Sequence, residues 1–177
     1  MSENAMNPLN LSILNEHSPY RIFPDIANSY SFVTDYGVSY QIHFLPDYSI
    51  WESGAYQFVI ANANNKKSPN DKKLKETVFS VIESFFTANP SILLYICETG
   101  DGKEIMRNRL FLKWLREYDQ RESFYIAHVE MEAEGINNFA TMIVQRNNPR
   151  FTEIEQEFRE AINELRKPGC DNPIEVL

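Results

Sequence analysis

Cysteine is scarce. Only two occur in the 177 residues, and they stand in unlike places: Cys97 ends an apolar stretch, while Cys170 follows Pro168 and Gly169 in a polar tail. A disulfide is therefore not expected, and with no histidine close in sequence to activate its thiol, Cys97 reads as a small buried hydrophobe. Long apolar runs are missing as well. No stretch reaches the roughly 18 residues of a membrane span, and the N-terminus lacks the basic segment and apolar run of a signal peptide, so a cytoplasmic protein with no membrane partner is expected. Positive charge is also short: 17 Lys and Arg against 25 Asp and Glu leave a net charge of −8, a field that disfavours nucleic acid and anionic lipid. Walker spacing and a Gly-x-Ser-x-Gly elbow are both absent from the chain, so neither a P-loop nor a hydrolase elbow is indicated.

What is present is aromatic bulk, with 12 Phe, 9 Tyr and 2 Trp in a chain that is 43% apolar. At this length one core can form without metals or disulfides. Residues 1–28 scatter Asn and Pro with no sustained period and read as an irregular lead segment; a single α+β domain is expected over 29–168, with a tail over 169–177. Tyr30 to Thr34 and Val38 to Phe44 flank Asp35, Tyr36 and Gly37, which predicts a hairpin, and Tyr56 to Ala61 adds a third strand of an antiparallel meander. Ser68 as N-cap and Pro69 as first helical residue predict a helix start, after which Leu74, Val78, Val81, Ile82 and Phe85 recur at helical spacing. The continuous run Ile92 to Cys97 fits a strand covered on both faces. A second helix follows, then Phe124 to Met131 and Phe139 to Val144 as another hairpin. The last helix is expected from Thr152, with Glu155 completing a capping box, and buries Phe151, Ile154, Phe158, Ile162 and Leu165. The order β-β-β-α-β-α-β-β-α implies a mixed, mostly antiparallel sheet with a right-handed crossover.

The candidate site lies between Ile92 and Tyr118, ILLYICETGDGKEIMRNRLFLKWLREY. At about 100° per residue, Met106, Leu110, Phe111, Trp114, Leu115 and Tyr118 share one helix face, and Lys103 and Arg107 fall inside that stripe; Arg109, Lys113 and Arg116 lie opposite as surface cations. Two readings follow. In one, Arg107 bonds Glu98 or Asp101 and fixes the strand-to-helix corner as a structural network. In the other, Lys103, Arg107 and the amides of Gly100 and Gly102 hold a carboxylate or phosphate at the carboxyl edge of a central strand. His128 and Glu130 alternate onto one strand face, but no sequence-adjacent His or Cys completes a metal set, and none is expected. His43 and His17 have no recognisable partner pattern. A protein partner or a second copy could pair with edge strands near Tyr30 or Phe139.

Two resemblances bear on function. The element order from about Tyr30 to Val144 resembles the acetyl-CoA-dependent N-acetyltransferases, in which a glycine-rich loop before the crossover helix binds the cofactor pyrophosphate. The corresponding stretch, Asn65 to Asp71, has no glycine; Pro69 removes an amide donor and Asp71 adds a negative charge. Lys66, Lys67, Lys72, Lys73 and Lys75 could compensate as a cationic patch or simply form a solvated face. The chain also looks similar to a family of small uncharacterised bacterial proteins, a domain of unknown function, through Cys97-Glu98, Asp101-Gly102-Lys103 and Arg107-x-Arg109-Leu110-Phe111-x-x-Trp114. The expectation is a non-catalytic binding or regulatory module without a cofactor, taking a small anionic ligand or a protein partner. The alternatives are a divergent acyl-CoA-dependent N-acyltransferase, which would need acetyl-CoA or a related thioester, and a structural partner in a complex.

Overall fold

The computed structural model describes residues 5–97, 102–133, 136–166, 168–169 and 172–177. Among them the chain forms α1 (Leu11–His17), β1 (Phe23–Pro24), β2 (Ser29–Val33), β3 (Ser39–Asp47), β4 (Ala55–Asn62), α2 (Lys72–Ala88), β5 (Ile92–Cys97), α3 (Glu104–Glu117), β6 (Phe124–Ala133), β7 (Ile136–Gln145), α4 (Phe151–Leu165) and β8 (Glu175–Val176). The strands hydrogen-bond in the order β1-β2-β3-β4-β5-β7-β6-β8. The sheet is mixed and mostly antiparallel; its parallel step joins β4 to β5 through Tyr56↔Leu93 and Gln57↔Leu94. A parallel step needs a crossover, and α2 supplies it. The outer strands are β1 and β8, so Tyr30 on β2 and Phe139 on β7 are interior. Short strands at either rim take the edge positions that the flanking sequence did not announce.

Two compact units make up the chain, Met1–Leu45 with Phe58–Pro90, and Pro46–Gln57 with Ser91–Leu177. In the first, the β2–β3 hairpin closes as Thr34 N and Gly37 N donate to Val38 O and Thr34 O at 3.0 and 2.9 Å. Gly37 sits at φ +73, a conformation L side chains resist. Burial alternates along β2 and β3, and Phe44 stacks on Phe85 of α2 with ring centroids 4.9 Å apart. The buried face of α2 comprises Leu74, Thr77, Val78, Phe79, Val81, Ile82, Phe85 and Phe86, which is the helical period read from the sequence with its neighbours added.

The lead segment is not irregular throughout. Polar side chains from the folded core pair its backbone: Tyr30 Oη accepts from Leu9 N at 3.1 Å, Thr77 Oγ1 from Tyr20 N at 3.3 Å, and Asn89 Oδ1 from Asn7 N at 2.7 Å. Met6, Leu9, Leu14, Tyr20 and Ile22 are buried as a result. No local period could announce this, because the partners lie far along the chain.

In the second unit β5 is buried from Ile92 to Tyr95, and its side chains alternate between two helices. Ile92 and Leu94 join Trp51, Tyr125, Val129, Met142, Val144, Ile154, Phe158 and Ile162 in one cluster with α4. Tyr95 turns the other way, its ring 4.1 Å from that of Phe111 on α3. Trp51 is completely buried, stacks on Phe158 at 6.1 Å and donates Nε1–H to Ile154 O at 3.2 Å. The expected capping box is not used. The N-cap of α4 is Arg150, whose Nε donates to Glu153 at 2.9 Å, while Glu155 accepts from the Tyr125 hydroxyl at 3.3 Å. Leu165 is 65% exposed rather than buried, since it follows Ile162 past the last turn that reaches the cluster.

Candidate functional site

Two helix N-termini carry most of the charge chemistry that the sequence singled out. The first belongs to α2. Its N-cap is Asp71 and not Ser68: Asp71 Oδ1 accepts from Lys73 N at 3.0 Å, while the Tyr40 hydroxyl donates to Ser68 Oγ at 2.7 Å and holds it away. The other carboxylate oxygen of Asp71 accepts from the Tyr20 hydroxyl at 2.7 Å. Lys73 Nζ reaches Asp35 Oδ2 at 2.7 Å and lies 5.6 Å from the centre of the Tyr20 ring. Burial, reinforced by the bond to Asp71, pushes the Tyr20 hydroxyl up to about 12, because an ionised phenolate there would lose water and face a carboxylate. Lys72 pairs with Glu76 at 3.6 Å. The loop before the helix is tied down by Asn62 Nδ2 donating to Lys66 O at 2.7 Å and Asn64 Nδ2 to Gly37 O at 2.8 Å. The positive end of this helix is thus neutralised by the chain's own carboxylate.

The second N-terminus belongs to α3. Its N-cap is Lys103, which makes no side-chain capping bond, since an ammonium has no acceptor to offer. Arg107 N donates to Lys103 O at 3.0 Å and opens the helix. Gly102 precedes it at φ +72, exposed, with nothing within 4 Å of where a Cβ would stand. Glu98, Gly100 and Asp101 lie outside the described residues, so of the two expected arrangements only Gly102, Lys103 and Arg107 are placed. Neither cation is without a partner.

The predicted apolar face of α3 needs correction. Among the described residues of α3 the buried ones are Asn108, Phe111, Leu112 and Leu115, whereas Met106 is 71% exposed, Leu110 is exposed and Trp114 is half-buried. Lys103 and Arg107 are exposed and do not sit on the buried stripe. This helix has apolar residues over more than half its circumference, and the strand-borne Tyr95 ring, by meeting Phe111, selects the side that packs. A hydrophobic count cannot make that choice.

Other groups are better explained. Ser29 and His43 stand opposite each other on β2 and β3, with Oγ and Nδ1 2.7 Å apart; strand register alone brings them together, so a motif search misses them. His128 is buried opposite Thr141, Nδ1 to Oγ1 2.9 Å, and stacks on Phe139. Burial holds its imidazole below the ordinary value. Glu52, Glu153, Glu157, Glu160 and Glu164 line an open groove of about 660 Å³ that also includes Arg150, which pairs with Glu153. Among the described residues no three His, Cys, Asp or Glu side chains gather as metal ligands. No helix among them is long and apolar enough to cross a membrane.

The fold defines an α+β protein with a mixed sheet, one parallel crossover and a closing hairpin. Within that class the chain belongs to a family of unknown function, DUF6169, whose model matches residues 70–160. The match takes in both helix N-termini and the motif from Cys97 to Trp114. Searches of curated proteins and of solved structures returned no match.

Proposed function

We propose that this chain is a binding module whose α3 corner takes a small anion, a carboxylate or phosphate, through Gly102, Lys103 and Arg107. The observation that carries this reading is the α3 N-terminus itself. Two exposed cations one turn apart stand where the helix dipole is positive, the N-cap side chain offers no acceptor, and an open glycine lets a ligand approach the backbone. An anion there meets charge of the right sign and orphan amide donors together. Binding of inorganic phosphate or acetate, followed by amide chemical shifts, tests it: residues 102–107 respond in the parent protein and lose the response in Arg107→Ala. If those amides ignore both anions while the protein remains folded, the reading fails.

The rival is an acyl-CoA-dependent N-acyltransferase. What favours it is the strand order with its parallel β4–β5 step bridged by α2. Against it stands the N-terminus of α2, where a pyrophosphate would meet Asp71 with Asp35 close behind, and where Asp71 already accepts from a first-turn amide. These residues do not fit that group. Stabilisation by acetyl-CoA that disappears when Lys66 and Lys67 are both replaced by alanine would reverse this preference.

A further inference from the structure

The side of α3 that carries Phe111, Leu112 and Leu115 is buried, with Phe111 against Tyr95, yet the helix has a second apolar row. Met106, Leu110 and Trp114 recur at i, i+4 and i+8, the first two exposed on the side away from the buried residues and the third half-buried. Arg109 and Lys113 are exposed beside them. An apolar row at helical spacing, left outside the core and edged by cations, is the anchor pattern of a helix that lies against a groove. Lys113 pairs with Glu117 at 3.8 Å, an exposed pair within one helix that costs little to exchange.

The chain also contains a groove of the opposite sign. It lies between α4 and residues 49–53, has a volume of about 660 Å³ and is lined by Glu52, Glu153, Glu157, Glu160 and Glu164. Arg150 lines it too and pairs with Glu153 at 2.9 Å and with Glu157 at 4.0 Å. Along α4 these glutamates stand three or four residues apart, so like charges are neighbours on one helix face, a repulsion that an incoming cation relieves. Ile50 and Ala161 supply apolar lining. At about 1.5 Å per residue the row from Met106 to Trp114 is about 12 Å long and the stretch from Glu153 to Glu164 about 16 Å, so the row fits within the groove.

We propose that the surface receiving this row is the α4 groove of a second copy of this chain. Met106 and Leu110 of one copy seat against Ile50 and Ala161 of the next, and Arg109 and Lys113 meet its groove glutamates. Charge complementarity favours this partner: two chains of net charge −8 repel unless a cationic surface of one faces an acidic surface of the other, and α3 and the α4 groove are such a pair. The same net charge disfavours an anionic membrane. Because α3 and α4 pack against alternate side chains of β5, the two halves of the contact are different surfaces; each copy offers both, and copies add head to tail. The inference goes beyond the anion corner, since it uses residues 106–114 and the groove instead of Gly102, Lys103 and Arg107.

Sedimentation velocity on the full chain tests it. At low salt the average mass of the parent should rise with concentration, and at about 0.5 M salt it should fall toward that of one chain. Reversing the helix charges with Arg109→Glu and Lys113→Glu, or the groove charges with Glu160→Lys and Glu164→Lys, should weaken association more than about tenfold, because each doubly substituted chain sets like charges against like. Mixing the two variants should restore it, since each then offers the other a surface of opposite sign. Met106→Gln changes no charge and should also weaken association, which keeps the test decisive should a reversed chain fail to fold. A parent that stays a single chain at low salt overturns the proposal, and binding of that single chain to phosphatidylserine vesicles would assign the row to a lipid surface instead. Association that survives either reversal, or that mixing does not restore between two folded variants, overturns it as well.

Discussion

The N-termini of α2 and α3 begin from the same physics and end in opposite states. Each helix presents unpaired amides and a partial positive charge. At α2 the chain answers them internally: Asp71 accepts from Lys73 N and from the Tyr20 hydroxyl, and Asp35 takes the Lys73 ammonium. At α3 the N-cap is a lysine, a second cation follows one turn later, and the preceding glycine is open. The difference teaches that the α2 start is closed by the chain's own groups, whereas the α3 start has no side-chain cap and is the one proposed above to take a ligand. A helix start whose amides are capped by a carboxylate, as Asp71 caps α2, gains little from an external anion. One whose N-cap side chain makes no capping bond, as at α3, gains more from it.

Replacing Asp71 with alanine should have the largest effect on stability, because it removes a cap and strands the Tyr20 hydroxyl together; chemical denaturation should show a loss of about 2 kcal/mol. Anion binding at α3 should not change. Tyr20→Phe is expected to cost about 1 kcal/mol at neutral pH and to alter the alkaline limb of the stability curve. With its folded value raised to about 12, Tyr20 stays neutral in the folded protein after the unfolded chain has begun to lose its proton. Its contribution is therefore complete below about pH 10 and is lost as pH climbs toward 12; thermal melts across that window should be flatter in the phenylalanine variant.

Lys103→Ser makes the two corners alike. A serine N-cap should stabilise the protein by roughly 0.5 to 1 kcal/mol and weaken phosphate binding. A serine variant that binds phosphate as well as the parent would break the comparison. Arg107→Ala should move stability least, by less than about 1 kcal/mol for an exposed cation, while reducing phosphate affinity about tenfold in a titration at low salt. An equal loss of stability at both corners would mean that α3, like α2, is held by its own charges.

Much of the architecture was legible because it depends on local periods. The turn at Asp35 to Gly37, the apolar face of α2, the unbroken apolar run of β5 and the β6–β7 hairpin all follow from spacing and residue type. The misses share a cause. Ser68 looked like a cap until Tyr40, distant in sequence, engaged its hydroxyl; Thr152 and Glu155 matched a capping box, but Tyr125 drew Glu155 away. The apolar residues of α3 allowed several packing sides, and contact with Tyr95 chose the one that leaves Met106, Lys103 and Arg107 exposed and Asn108 covered. A wheel can place Asn108 beside Phe111 and Leu112. It cannot reveal that the carboxamide oxygen finds no partner.

By itself the sequence determined the order of the central strands and helices from β2 to α4, the mixed sheet, the family to which the chain belongs and the stretch in which to seek a site, but not α1 or the short rim strands β1 and β8. These rest on side-chain type at short spacing, which acts through backbone preference and hydrophobic period before any distant contact forms. Only the tertiary structure decided that Asp71 closes one helix start, that the lead segment docks through Tyr30, Thr77 and Asn89, and that Asn108 is buried with its Oδ1 unpaired. Those outcomes depend on which hydrogen-bonding groups meet after the chain has packed, and local spacing contains no record of such meetings.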